Sequence, residues 1–253
     1  MRPLRLLHTS DVHLAGGFST PKSCDRRHDC LCPILGVAEL AREHQPDVLL
    51  VVGDLFDHGR VPDEMVQAAF DVLAKLDLPT VLISGNHDIH DDASLYGRHE
   101  PVVGGAGVTF IDELEGATLR LLDDELVIWG RAMDDHHPGF RPLHGVPTRA
   151  AAAAENWYVV LGHGHHVGQE PADASMRSSP ITDDDIAATG ADYVALGHWH
   201  TLTDVSAGGV PAWYAGSPMM SWSDGVALVV DLVPGQGARV EAVPVVPPAA
   251  GCA

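Results

Sequence analysis

Val48-Leu49-Leu50-Val51-Val52-Gly53-Asp54-Leu55-Phe56-Asp57 is the stretch from which the rest of the chain is read. Its first five residues are all apolar and three are β-branched, the pattern of a strand buried on both faces. The strand ends at Gly53. Asp54 therefore stands at a carboxyl end, where an open α/β sheet places its ligand crevice. Four other apolar runs end in the same manner. Residues 4–10 lead into Asp11-Val12-His13, and 80–84 into Gly85-Asn86-His87-Asp88. Residues 157–161 lead into Gly162-His163, and 193–196 into Gly197-His198-Trp199-His200.

Taken singly, each of these side chains has an ordinary reading. Asp11 could cap the next turn of chain, and a lone histidine after a strand is usually a loop or core residue. Five strand ends that all carry Asp, Asn or His are a different matter, because a core needs no such groups. In extended chain, residues two apart point the same way, so Asp11 with His13, and His198 with His200, can each close on one ion. Asp11, His13, Asp54, Asn86, His163, His198 and His200 suffice for two ions if one carboxylate bridges. His165 and His166 compete with His163, and the histidine nearest the strand end is preferred. Mixed nitrogen and oxygen ligation suits Mn²⁺, Fe or Zn²⁺ better than Ca²⁺.

Between the strand ends the chain alternates in kind. A helix is expected over about 33–44, with Pro33 in its first turn and Pro46 beyond its end. With the strands on either side it makes a βαβ unit. A second helix is expected over 62–76, with Met65, Ala69, Val72, Leu73 and Leu76 on its apolar face. Short strands at 108–111, 118–122 and 126–129 read as antiparallel members of a second sheet. Residues 134–154 read as a connection with a short alanine-rich helix, and 168–180 as a loop. Thr182 to Asp185 has capping-box spacing for a helix through Ala188, ended by Gly190. Strands are expected again at 212–214, 226–232 and 239–245, before a proline-rich tail. No linker interrupts the pattern, so residues 1–253 read as a single catalytic domain.

Composition narrows the setting. The hydrophobic share of 45% supports a globular core, and no stretch approaches the roughly 18 apolar residues of a membrane span. The basic start at Met1-Arg2 turns polar too soon for a signal-peptide core, so the expectation is a cytoplasmic protein without a membrane partner. A net charge of −20 with only two lysines, Lys22 and Lys75, opposes sequence-independent binding of long duplex DNA. Cys24, Cys30 and Cys32 surround His28, but at spacings tighter than a usual zinc site, and they read as reduced loop thiols. Trp199 and Trp222 read either as base-stacking platforms or as half-buried packing residues.

The ordered motifs resemble those of the calcineurin-like metallophosphoesterases: D-x-H at Asp11–His13, G-D-x-x-D at Gly53–Asp57, G-N-H-[DE] at Gly85–Asp88, then His163, then G-H-x-H at Gly197–His200. The resemblance implies a four-layer α/β-β/α sandwich with a dinuclear metal site at the strand carboxyl ends. It implies that Asp11, His13 and His200 hold one ion and Asn86, His163 and His198 the other, with Asp54 bridging. Two divalent ions, Mn²⁺ favoured, would hold the hydroxide that attacks phosphorus. His87 would then protonate or stabilise the leaving oxygen, with Asp57 orienting its imidazole; as an alternative, Asp57 caps or braces a turn.

His58 stands where the phosphoprotein phosphatases carry a phosphate-gripping Arg, which argues against that branch. Leu7–Leu14, the G-D-L-F-D form, residues 193–200 and Tyr214-Ala215-Gly216-Ser217-Pro218 are most similar to the SbcD-type and YhaO-type DNA repair exonucleases. The stretch after that last motif is short for a DNA-capping domain or for helices that grip an ATPase. The expected function is a phosphodiesterase for nucleotide or small phosphodiester substrates, with an SbcD-like DNA exonuclease as runner-up. A non-catalytic scaffold would be expected to have lost ligands, and none is missing.

Overall fold

The computed structural model describes residues 1–16, 30–91, 93–153, 155–171, 177–219 and 225–246. In chain order the first half comprises β1 (Leu4–Thr9), α1 (Cys32–His44), β2 (Val48–Val52), α2 (Asp63–Ala74), β3 (Thr80–Ile83), α3 (Leu95–Arg98), α4 (Glu100–Gly105), β4 (Val108–Phe110), β5 (Ala117–Leu121) and β6 (Leu126–Gly130). There follow α5 (Arg149–Ala152), β7 (Trp157–His163), β8 (His165–Gly168), β9 (Pro180–Thr182), α6 (Asp183–Thr189), β10 (Tyr193–Gly197), β11 (Thr203–Asp204), β12 (Ala212–Tyr214), β13 (Val226–Val233) and β14 (Gly237–Pro244).

Among the described residues the strands form two six-stranded sheets, ordered β14-β13-β1-β2-β3-β4 and β11-β12-β10-β7-β6-β5, and a small pair, β8-β9. The period of two along each strand divides its side chains between two cores. In β2, Val48, Leu50 and Val52 face the other sheet, where they meet Val159, Leu161 and Ala195. Leu49 and Val51 face outward, against Ile34 and Val37 of α1 and Val66 and Phe70 of α2. In β7 the same alternation sends Tyr158 and Val160 outward to Ile186 of α6 and Ala152 of α5. Helices, sheet, sheet, helices are thus stacked in four layers, as the motifs implied.

The antiparallel pair expected at 118–122 and 126–129 forms in the second sheet, but the rest of that sheet is mixed. β5–β6 and β11–β12 are antiparallel, but β6–β7, β7–β10 and β10–β12 are parallel. The strand expected at 108–111 joins the first sheet instead, parallel to β3 with Val81 opposite Thr109. A parallel neighbour needs a crossover, and α3 and α4 supply it. Part of the 168–180 stretch read as loop belongs to β8-β9, which pairs His165 with Pro180. The capping box forms as expected, the Asp185 N–H donating to Thr182 Oγ1 at 3.1 Å and the Thr182 N–H to Asp185 Oδ2 at 2.8 Å.

Cys24, Cys252, His28 and Trp222 lie outside the described residues. Cys32, at the start of α1, is disulfide-bonded rather than a reduced thiol. No described helix is long and apolar enough to cross a membrane.

Candidate metal centre

β1, β2 and β3 are mutually parallel, as are β7 and β10, and the carboxyl ends of all five meet on one rim of the sandwich. All seven side chains read as ligands come together there. Asp11, Asp54 and His163 are at most 2% exposed, while Asn86 and His198 are half-buried. His13 Nε2 lies 3.1 Å from His200 Nε2, 3.9 Å from Asp11 Oδ1 and 3.8 Å from Asp54 Oδ2. On the other flank His163 Nε2 lies 3.3 Å from Asp54 Oδ2 and 3.1 Å from Asn86 Oδ1, and His198 Nδ1 is 2.8 Å from the same Asn86 oxygen. Asp54 stands between the two groups and touches both.

The backbone is bent to make this possible. Asp11, His13, Asp54 and His198 all have positive φ, at 53°, 50°, 54° and 110°. Such conformations cost on the order of 1–3 kcal/mol each and persist only where their surroundings over-determine them. Here the Asp11 N–H donates to the Gly53 carbonyl at 3.1 Å, His13 N–H to Asp54 O at 3.0 Å and Asp57 N–H to Leu14 O at 3.0 Å. These bonds lace the first two strand ends together.

The motif glycines have a steric reason. A Cβ on Gly53 would stand 2.2 Å from His163 Nδ1, one on Gly85 2.2 Å from Asp54 Oδ1, and one on Gly197 2.0 Å from the Val52 carbonyl oxygen. Each glycine leaves the space that a neighbouring strand end fills.

The donor set fits divalent cations. A carbonyl oxygen only accepts, so the 2.9 Å contact between His163 Nδ1 and Val52 O places a proton on Nδ1. In the neutral ring Nε2 is then a lone pair, facing the Asn86 and Asp54 oxygens. His13 likewise donates Nδ1–H to Asp57 Oδ1 at 2.9 Å, so its lone pair faces His200 Nε2. The His163 lone pair among the Asn86 and Asp54 oxygens sets acceptor against acceptor, an arrangement that a shared cation would satisfy.

In the metal-free protein, protons meet part of that need. Burial disfavours charge on His163, but the Asp54 carboxylate outweighs it and holds the imidazole at about 9. His13 is raised in the same way, burial being overcome by its Asp57 hydrogen bond and by Asp54 and Asp11. Burial pushes the Asp54 carboxyl up, yet the charges of His163, His13 and His87 and a hydrogen bond from His163 bring it well below the usual carboxylate range. Burial and the His163 charge drive His198 down to about 3, leaving it a neutral imidazole.

His87, 40% exposed at the side chain, donates Nδ1–H to the main-chain carbonyl of Asp57 at 2.8 Å; the Asp57 carboxylate is 3.6 Å from the same nitrogen and bonds His13 instead. Asp57 thus braces two histidines with different atoms. His165 Nδ1 accepts the Trp199 indole N–H at 3.2 Å, and His166 Nε2 donates to Asp183 Oδ1 at 2.8 Å, so His166 is engaged away from the cluster and His165 is held beside it, its ring 5.8 Å from that of His198, while His163 enters it. Trp199 itself is stacked on Tyr214 at 4.7 Å, in a packing position.

Asp88 is a supporting residue that sequence reasoning left without a role. Fully buried, it accepts from the N–H groups of Asp54, Gly85 and Phe56 at 3.2, 2.8 and 3.1 Å and from the Tyr96 hydroxyl at 2.5 Å. It thereby ties the β2 and β3 ends to α3. Ser217 was missed too; its hydroxyl donates to the Asp11 carbonyl at 2.8 Å. The signals were the last letter of G-N-H-D and the serine of the 214–218 motif.

The family model described as calcineurin-like phosphoesterase matches residues 4–202. The SbcD component of the nuclease SbcCD from Escherichia coli (strain K12) is 28% identical over 275 residues, covering 95% of this chain and 67% of the relative. The DNA double-strand break repair protein Mre11 of Methanosarcina mazei is 27% identical over 237 residues, covering 85% of this chain and 33% of the relative. Among solved structures, TT1561 of Thermus thermophilus superposes with a TM-score of 0.60 at 13% identity, over 96% of this chain and 99% of that one. The calcineurin-like phosphoesterase YfkN of Bacillus subtilis gives 0.57 at 15% identity, over 96% and 91%. At these identities the structural likenesses speak for the fold alone.

Proposed function

The chain belongs to the calcineurin-like phosphoesterase family of metal-dependent phosphoester hydrolases, and from that premise we propose that it is a phosphodiesterase for nucleotide or other small phosphodiester substrates, working as one catalytic unit. The observation that carries the reading is the convergence of acceptors at the rim, above all the Nε2 lone pair of the neutral His163 ring facing the Asn86 oxygen at 3.1 Å and the Asp54 carboxylate at 3.3 Å. Asp11, His13 and His200 would hold one cation and Asn86, His163 and His198 the other, with Asp54 between them. Mn²⁺ is the first metal to try, since the ligands mix nitrogen and oxygen. Such a pair of cations supplies Lewis acidity, neutralising phosphoryl charge and making a water nucleophilic near neutral pH.

The chain's own groups do the rest. Asp57 holds His13 in the tautomer that presents Nε2 to the site. Its carbonyl holds the His87 proton on Nδ1, which leaves Nε2 facing the site; in the imidazolium form Nε2–H would deliver its proton to the departing oxygen and return the ring to the neutral Nδ1–H tautomer. Asp88 keeps the two strand ends in register. The net charge of −20 favours small or single-stranded substrates over long duplex DNA.

The test compares turnover of bis-p-nitrophenyl phosphate and p-nitrophenyl phosphate by Mn²⁺-reloaded protein, beside Asp54→Ala. Diester turnover that the variant loses supports the proposal, and a monoester preference points to a phosphatase. Absence of turnover with Mn²⁺, Fe²⁺ and Zn²⁺ alike would favour a binding scaffold. A second reading, a DNA exonuclease, is favoured by the similarity to the SbcD component of the nuclease SbcCD and is tested with end-labelled short single-stranded and duplex DNA.

A further inference from the structure

Two half-buried histidines flank His198 without belonging to the ligand set. The ring of His136 is centred 5.4 Å from that of His198, and the ring of His165 5.8 Å from it. Each is fixed through Nδ1. Ser179 Oγ lies 3.2 Å from His136 Nδ1. Ser179 is itself fully buried, donating its N–H to the His137 carbonyl at 3.0 Å and accepting the main-chain His165 N–H at 2.9 Å. For the His165 ring the partner is the Trp199 indole at 3.2 Å. An indole N–H can only donate, so the neutral His165 ring carries its proton on Nε2. The Ser179 hydroxyl can donate to His136 Nδ1, and in that arrangement the His136 proton likewise sits on Nε2.

The segment that carries His136 is pinned where it leaves the sheet. Met133 N–H donates to Ser84 Oγ at 2.8 Å, and His90 N–H donates to the Met133 carbonyl at 2.7 Å. Among the described residues neither His136 Nε2 nor His165 Nε2 has a protein hydrogen bond, although every other polar contact of the two rings is arranged to hold them still. His165 Nε2–H is thus an uncommitted donor beside His198, and His136 Nε2 is a second when the Ser179 hydroxyl donates to its Nδ1.

We propose that His136 and His165 are substrate-contacting residues, donating through Nε2 to the phosphoryl oxygens of a diester bound on the Asn86, His163 and His198 flank. The inference rests on the phosphoesterase reading and adds a charge preference to it. Neutral donors suit the single charge of a diester, whereas a monoester dianion is better met by the cationic fork of an arginine or by a lysine.

The test uses the full chain loaded with Mn²⁺. KM and kcat for bis-p-nitrophenyl phosphate are measured with calorimetric binding of dimethyl phosphate and Mn²⁺ content, for the wild type, His136→Ala, His165→Ala, and the Gln and Asn replacements of each. Losing one hydrogen bond to an anion should raise KM and weaken dimethyl phosphate binding about tenfold, with metal content unchanged. Gln, whose amide nitrogen reaches near the lost Nε2, should restore most of the affinity, and Asn should not.

Wild-type affinity in both alanine variants overturns the proposal, as does loss of Mn²⁺ or equal rescue by Asn and Gln, which would mark a structural role. In those cases turnover by the wild type, abolished in Asp54→Ala, leaves the phosphoesterase reading standing. If the wild type neither binds nor hydrolyses the diesters, both fail.

Discussion

Gly85 needs no left-handed backbone, yet alanine there would place a methyl group 2.2 Å from Asp54 Oδ1 and 2.7 Å from the Asp54 nitrogen. The ligand and its main chain would have to shift. Gly85→Ala should therefore lose bound metal and lower turnover by about 100-fold, the order expected for displacing a reacting group by an ångström. Gly59→Ala, with nothing within 4 Å, should match the wild type, and metal content read beside activity checks the pair. Asp88→Asn keeps the size but leaves one amide oxygen for donors that now use both carboxylate oxygens. Chemical denaturation should show a loss of roughly 2–4 kcal/mol, and metal titration a 10- to 100-fold weaker site. The side chains that converge at the rim were legible residue by residue because each stands in a short motif at a strand end. The roles of Asp88 and Ser217 were not, because each acts on main-chain groups brought near only by folding.

At the scale of elements, α6 and β1 lend themselves to measurement. Thr182→Ala removes half of the capping box and should cost about 1 kcal/mol in denaturant unfolding without affecting metal content. His8 on β1 is fully buried between the sheets, sharing a 2.9 Å hydrogen bond with Tyr193 of β10, and burial drives its pKa from 6.5 down to about 3. Between those values the unfolded chain binds a proton that the folded chain refuses. Stability from this group is thus complete above pH 6.5 and falls as pH drops toward 3, by on the order of 5 kcal/mol in all. His8→Asn, which does not titrate, should flatten that part of the stability curve relative to wild type. The helices 33–44 and 62–76, the capping box and the buried strands were readable because period and caps are local. The pairing of β4 with β3, and of β6 with β7, was not, because a parallel neighbour is supplied from a distant stretch of chain.

For the whole molecule, stacking of the two sheets brings Asp11 and Asp54 of the first against His163 of the second at the rim of a chain whose net charge is −20. Cations that bind only the folded state should stabilise it by about 2.7 kcal/mol at a hundred times their dissociation constant. For a chain of this size that is roughly 5–10 °C in Tm. Scanning calorimetry with chelator and then with excess Mn²⁺ should show that rise in the wild type and little of it in Asp54→Ala.

By itself the sequence determined the α/β class, the five strand ends and the identities of the side chains on them, because buried strands need unbroken apolar runs and polar groups at their ends stand out against them; the four layers were implied by the resemblance of the motifs to a family. Only the tertiary structure decided which atoms face one another: that His163 rather than His165 or His166 enters the cluster, that the Asp57 carboxylate serves His13 while its carbonyl serves His87, and that His136 and His165 flank His198. These are relations between segments far apart along the chain. They come into being only when two sheets stack and their strand ends share one rim.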